Sequence, residues 1–417
     1  MTDGSTPPAG ARVLVITSPA RGHLYPIVDA MLALRRRGHD IHIVTLASEV
    51  PMLADLGLSA AALPPELNDA ELDDWRSPSR RERVRSIVAE VMSRIPTQFA
   101  LADALIAERR PDLVVADFNA AGVQFAAERA GIPWAVWCPT FLPIFSGRGP
   151  MIGTGMLPGS GRRHRVRDEV MAFAGRALWD RLSLGPMNDA RRSVGLPPIR
   201  HTDDLLRIAP LVINFVGPPI EHRRADWPDT LHLVGPSLWS PPAPVHPEIA
   251  AIDRPVALVT CSTEFQNDAH LAQTTLTALA DTGLHVVVTC GDTDPAGFTR
   301  GPHTTILRNG PHDQILDKAV VAVTHGGLGV TQKAVARGVP VVVVPFGRDQ
   351  HDVAARFAAT GAGVRMSPGD LTPEAVHRAV LSALGRASAA RAVAAQTDTD
   401  AGERAAVLID DLIRRSN

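Results

Sequence analysis

Short apolar runs recur along the chain, each followed by a polar or glycine-bearing turn and then by helical periodicity. Residues 12–17 (RVLVIT) read as a buried strand that passes through the loop 18–22 into a helix over about 24–37, closed by Gly38. Residues 41–46 form the next strand. The unit returns with a strand at 112–116, a helix at 121–130 and a strand at 133–138, and a further strand is expected at 212–215. Past residue 255 it restarts with strand 256–260, loop 261–268, helix 271–281, and strands 285–289 and 304–308. Strand 320–324 then meets a glycine turn, a helix over 331–336 ended by Gly338, and an apolar run, 339–344, stopped by Pro345. From Pro373 the chain reads as helix to its end. Apolar runs without alternation are strands covered on both faces, and strands alternating with helices form parallel, doubly wound sheets.

Three segments break the rhythm. Residues 63–100 are polar and Arg-rich around 77–85, with helical patterning afterwards. Residues 141–164 are rich in Gly and Pro yet carry Phe141, Leu142, Ile144, Phe145, Met151, Ile152 and Met156, the composition of a mobile loop over an apolar ligand. The proline-dense stretch 235–247 can continue neither helix nor sheet and reads as a linker. The expected fold is α/β, with two doubly wound domains facing a cleft. The first spans 1–235, a linker 236–254, the second 255–400, and a helix over 401–417 packs back on the first.

Composition narrows the setting. A chain of 417 residues exceeds one ordinary core, and 45% hydrophobic with 21% charged residues describes a soluble globular protein. The formal net charge of −2 gives no reason to invoke nucleic acid or an anionic membrane. No apolar run reaches the length of a membrane span, and the polar start lacks the apolar core of a signal peptide. Cys138, Cys261 and Cys290 are too scattered for a disulfide framework or a CxxC metal site. A cytoplasmic protein is expected, and a homodimer is left open.

Ligands of open α/β sheets bind beyond the carboxyl ends of the strands, so polar residues just after strands are the candidates. The first half supplies Ser18, Arg21, His23 and Asp117; the second supplies 261–263, 309–313, 325–331, Asp349 and Gln350. The turn His325-Gly326-Gly327-Leu328-Gly329 opens onto a helix N-terminus, where close backbone approach, free amides and the helix dipole attract an anion. His325 and Thr331 could add donors. One half thus offers a base and the other an anion site. The dinucleotide fingerprint fails because Gln332 stands where its third glycine belongs, and no glycine loop continues as Gly-Lys-Ser/Thr. Asp292 and Asp294, beside Pro295 and Gly297, read as a solvated turn, and no metal is expected.

The stretch HGGLGVTQKAVARGVPVVVVPFGRDQ (325–350) closely resembles the donor-site signature of GT-B glycosyltransferases that modify macrolides, polyketides and flavonoids. The likeness extends to RGHLYP at 21–26, PDLVVADF at 111–118, PHDQIL at 311–316 and the proline linker. It implies two Rossmann-like domains, the second holding a TDP- or UDP-sugar. The base would meet Asn309, Pro311 and His312. The diphosphate would meet His325, Gly327, Leu328, Gly329, Val330, Thr331 and Thr263, and the sugar would meet Asp349 and Gln350. His23 corresponds to the family's catalytic base and Asp117 to its partner. A polyketide, macrolide or aromatic aglycone would lie under Phe141, Leu142, Ile144, Phe145 and Met151.

The implied reaction is inverting and metal-independent, without a cofactor beyond the nucleotide-sugar co-substrate. Two departures stand out. Lys333 replaces a carboxylate that the family often sets against the ribose hydroxyls, and Ser262 replaces a glycine. Two other readings stay open: a sugar-nucleotide 2-epimerase of the same fold, and a degenerate homologue that binds nucleotide without transfer. The apolar 141–156 region speaks against the first. Lys333 supports the second, while His23, Asp117, Asp349 and Gln350 together oppose it.

Overall fold

The computed structural model describes residues 10–70, 74–76, 79–263, 266 and 268–416; the polar start, 1–9, lies outside these, as do loop residues 264, 265 and 267. The first sheet comprises β1 (Arg12–Ile16), β2 (Asp40–Thr45), β3 (Ser59–Ala62), β4 (Leu113–Asp117), β5 (Trp134–Cys138), β6 (Leu211–Asn214) and β7 (Leu231–Leu233). Its order is β3-β2-β1-β4-β5-β6-β7. The second comprises β8 (Val256–Thr260), β9 (His285–Thr289), β10 (Thr304–Leu307), β11 (Ala319–Thr324), β12 (Val341–Val343) and β13 (Gly363–Arg365), in the order β10-β9-β8-β11-β12-β13. Every pairing is parallel. The central strands are Val- and Ile-rich runs buried on both faces, as the crossover helices require.

The strands not anticipated are β3, β7 and β13. Each lies at a sheet edge and is short, with sequences SAAA, LHL and GVR. The 32-residue helix Arg162–Ser193 was not anticipated either. It turns Val166, Val170 and Phe173 outward, Phe173 being 78% exposed, so its apolar positions do not all mark one buried face.

The terminal helix Ala401–Ser416 leaves the second sheet and packs on the helix Arg21–Arg36 of the first half. Ala405, Ala406, Ile409 and Ile413 join the core around Leu24, Ile27, Met31 and Leu34. Gly402 sits so close that a Cβ there would lie 2.3 Å from Asp29 Oδ2. Small residues on one helix let the two backbones approach, and the core of the first half is completed from the far end of the chain. Among the described residues no helix is long and apolar enough to cross a membrane.

Of residues 141–164, expected to be a mobile loop, 162–164 open the long helix, and 141–161 carry no regular element but are tethered. Ser146 Oγ donates to Asp226 Oδ1 at 2.6 Å, and Gly155 N donates to Asp352 Oδ1 at 3.1 Å across to the helix Gln350–Ala359. Gly153 N also donates to Asp352. From the same helix, Arg356 Nη2 meets Glu221 Oε2 at 2.7 Å, and its guanidinium lies 4.1 Å from the Phe141 ring centroid.

Truncating Ile409 to Ala removes a fully buried side chain between the two ends of the chain. The expected loss is about 2–5 kcal/mol in urea unfolding. Unchanged stability would mean that the terminal helix contributes nothing to the first core.

Candidate functional site

Each sheet reverses its strand order once, between β1 and β4 and between β8 and β11. At such a reversal the neighbouring crossovers leave on opposite faces and open a crevice beyond the strand ends. The two crevices face each other across one cleft of about 2550 Å³. His23, just after β1, and Asp117, the last residue of β4, stand at the first; His325 and the glycine turn, just after β11, stand at the second.

His23 Nδ1 lies 2.7 Å from Asp117 Oδ2. The carboxylate is fully buried, and its other oxygen accepts from Ser18 Oγ and from the amide of Asn119, both at 2.8 Å. Trp137 Nε1 donates to the His23 carbonyl at 3.0 Å, and the imidazole stacks on Phe118 with centroids 5.7 Å apart. A carboxylate at Nδ1 places the proton there and leaves Nε2 as the basic nitrogen. The ring is held in place and in tautomer, as a general base requires.

At the second crevice the helix Leu328–Ala336 begins one turn earlier than expected, so the amides of Leu328, Gly329 and Val330 form its first turn, without intrahelical acceptors. Gly326 has φ +99°, a conformation that favours glycine, and its amide donates to Thr324 Oγ1 at 3.2 Å. His325 Nδ1 points at the carbonyl of Thr260, 3.2 Å away, and a Cβ on Gly327 would sit 2.8 Å from His325 Nε2. The missing side chain at Gly327 is what makes room for the imidazole.

Not every candidate faces the cleft. Thr331 is fully buried; its hydroxyl donates to the Gly327 carbonyl at 2.7 Å and lies 3.2 Å from Thr324 Oγ1, so it braces the turn from inside. Gln350 does line the cleft, with its amide engaged: the oxygen accepts from the amides of Phe346 and Gly347 at 2.7 and 3.0 Å, and the nitrogen donates to Gln266 at 2.6 Å. Asp349 reaches the cleft beside Thr140, whose hydroxyl donates to it, and burial raises its carboxyl above the usual range. Thr263, Asn309 and Pro311 line the cleft. His312 does too, with Nε2 3.1 Å from Thr289 Oγ1, and burial lowers it to about 4 so that it is neutral near pH 7.

The apolar side needs a larger correction. Phe141, Leu142 and Ile144 point into hydrophobic cores, because this segment must cover the ends of both halves; only Phe145 and Met151 of the five line the cleft. The remaining wall comes from two helices. Arg162–Ser193 contributes Met171, Leu178, Trp179 and Leu182, and Arg80–Ser93 contributes Val84, Ile87 and Val91. Both sets follow helical spacing, and that period was the signal that could have found them.

Lys333 lies one turn beyond the anion turn on the same helix, lining the cleft and 9% exposed. Its Nζ donates to Ser240 Oγ at 2.6 Å, and burial draws it down from 10.5 to about 8. Trp239 of the linker packs edge-on to Tyr25, and Gln314 Nε2 donates to the carbonyl of Pro244 at 2.9 Å. The linker is thus a wall of the cleft. At the second departure, the Ser262 amide donates to Asp268 Oδ2 at 2.6 Å. Asp294 accepts from the amide of Ala296 at 3.0 Å, within its turn.

The C-terminal domain family of erythromycin biosynthesis protein CIII-like proteins matches residues 273–406. The 4'-demethylrebeccamycin synthase of Lentzea aerocolonigenes is 31% identical, with 97% of this chain and 100% of the relative aligned. The L-demethylnoviosyl transferase of Streptomyces niveus is 27% identical over 85% of each. Among solved structures, the calicheamicin glycosyltransferase CalG4 superposes with TM-score 0.69 at 22% identity, covering 97% of this chain and 99% of its own. The glycosyltransferase VinC, solved with dTDP, gives 0.69 at 23%, covering 97% and 100%.

Lys333 also predicts a pH dependence. Between about 8 and 10.5 the unfolded lysine is protonated while the folded one has lost its proton, so stability rises with pH across that window. Lys333→Met abolishes that contribution. The wild-type curve is expected to gain on the variant's by at most roughly 3 kcal/mol from pH 8 to 10.5 in urea titrations. Parallel curves would show that the lysine is not electrostatically strained.

Proposed function

From the premise that the chain belongs to the GT-B natural-product glycosyltransferases, we propose that it is an inverting, metal-independent enzyme. It moves a sugar from a TDP- or UDP-sugar to a hydroxyl of an apolar polyketide, macrolide or aromatic aglycone. The observation that carries this reading is the pairing of an oriented base at one crevice with an anion turn at the other, on two walls of one cleft. The cleft exceeds the roughly 300–1,000 Å³ of a single small-molecule site and has room for two ligands.

The acceptor hydroxyl lies against the apolar wall of Met171, Trp179 and Leu182 and gives its proton to His23 Nε2. Asp117 stabilises the imidazolium that forms. The oxygen attacks the anomeric carbon from the first half while the carbon–oxygen bond to the diphosphate breaks toward the second; a single displacement inverts the centre. The electron pair leaves with the diphosphate, and the amides of Leu328, Gly329 and Val330 with His325 take the growing charge. Asp349 is placed to accept from a sugar hydroxyl, in competition with Thr140. In this reading these hydrogen-bond donors stand in for a metal at the diphosphate. The three cysteines are buried and unbridged, which fits a reducing cytoplasm. An epimerase would have no use for the apolar wall, and the relative from Streptomyces niveus is a transferase.

Incubation with TDP- and UDP-sugars and a panel of hydroxylated aglycones, read by mass spectrometry and by the anomeric coupling of the product, tests the reading. His23→Ala is expected to bind nucleoside diphosphate within about threefold of wild type while losing about 10²–10⁴ in turnover. Undiminished transfer by that variant would remove the base assignment.

A further inference from the structure

The anion turn holds a histidine whose tautomer is wrong for an anion. His325 Nδ1 faces two acceptors, the Thr260 carbonyl at 3.2 Å and the Asp268 carboxylate at 3.8 Å. Both call for a proton on Nδ1. In a neutral imidazole the other nitrogen then carries a lone pair, and Nε2 is the one that sits over Gly327 at the turn. A lone pair directed at a phosphate oxygen repels it; an N–H there attracts it. The ring can satisfy both sides only as an imidazolium.

Asp268 is the counter-charge within reach. Its side chain is buried, and one oxygen accepts from the Ser262 amide at 2.6 Å. Burial raises its carboxyl, and positive charge on His325 draws it back. Among the described residues, the thiols of Cys261 and Cys290 lie near Asp268, and burial raises both and keeps them uncharged at neutral pH. The side chain packed on the turn from the helix Gln350–Ala359 is the amide Gln350, which does not titrate.

We infer that nucleoside diphosphate binding is coupled to uptake of one proton by His325, with Asp268 as the positioning residue that holds the resulting imidazolium. This rests on the donor reading of the second crevice. The proton stays on His325 while the anomeric carbon–oxygen bond breaks and its electron pair passes to the diphosphate; it returns to solvent when the nucleotide leaves. Asp268 thereby stabilises the leaving group through His325 without touching it, and the loop between β8 and the helix Ala269–Leu279 belongs to the donor machinery.

Calorimetric titration of the full chain with dTDP and with UDP, in buffers of different ionisation enthalpy, measures the coupling. The wild-type protein is expected to take up close to one proton per site at about pH 8 and markedly less at about pH 6. Asp268→Asn is expected to weaken binding by about tenfold or more near pH 8 and to recover most of that near pH 6, a recovery that a merely misfolded loop would not show. His325→Gln, which keeps a neutral donor, is expected to lose the uptake and to bind with the same affinity at both pH values. Uptake that persists in His325→Gln places the proton on another group and overturns the inference. Wild-type binding without uptake, with the same pH dependence in all three proteins, overturns it while leaving the donor site standing. No binding of either nucleotide near pH 6 overturns both.

Discussion

Two half-sites are useful only at a fixed separation, and one helix, Gln350–Ala359, supplies that constraint. Over its length it meets the first half through Asp349 with Thr140, Asp352 with the amides of Gly153 and Gly155, and Arg356 with Glu221 and Phe141. These are buried polar contacts, and apolar packing of the same volume would often be at least as stable. What they add is direction. A carboxylate that accepts two amides and a guanidinium held between Asp352 and Glu221 allow a single register between the halves. The helix also begins beside Asp349 and Gln350, which line the cleft, so the segment that carries Phe145 and Met151 is tied to the second half.

His23 and His325 are oriented by the same device with opposite chemical consequences. Each has an acceptor at Nδ1, a carboxylate in the first case and a carbonyl backed by a carboxylate in the second. The lone pair left on Nε2 suits a base facing a hydroxyl. Facing a diphosphate, it requires a second proton. The rings stand on opposite sides of like reversals: His23 follows β1, the counterpart of β8, and His325 follows β11, the counterpart of β4.

Lys333 fits a structural role. It binds Ser240 and thereby holds the proline-rich linker as the third wall of the cleft. The lysine gives the linker a partner inside the donor half, and the Trp239–Tyr25 contact gives it one in the acceptor half.

Much of this was legible along the chain. Val- and Ile-rich runs such as VALVT, HVVVT and RVLVI announce strands covered on both faces, since their burial depends on composition alone. The glycine turn and the position of His23 after β1 follow from strand ends and spacing. The short edge strands SAAA, LHL and GVR were not legible, because an edge strand is made by the ladder beside it and not by its own residues. Nor was the sorting of apolar side chains in 141–151. Phe141 and Met151 are equally hydrophobic, yet one fills a core under Arg356 and the other lines the cleft. Thr331 and Gln350 look like ligand donors until the fold shows the Thr331 hydroxyl spent on a backbone carbonyl and the Gln350 amide nitrogen on Gln266. By itself the sequence determined which residue types stand at the strand ends, because local periodicity sets that. Only tertiary structure decided which face inward and which are already engaged, because both depend on neighbours distant in the chain.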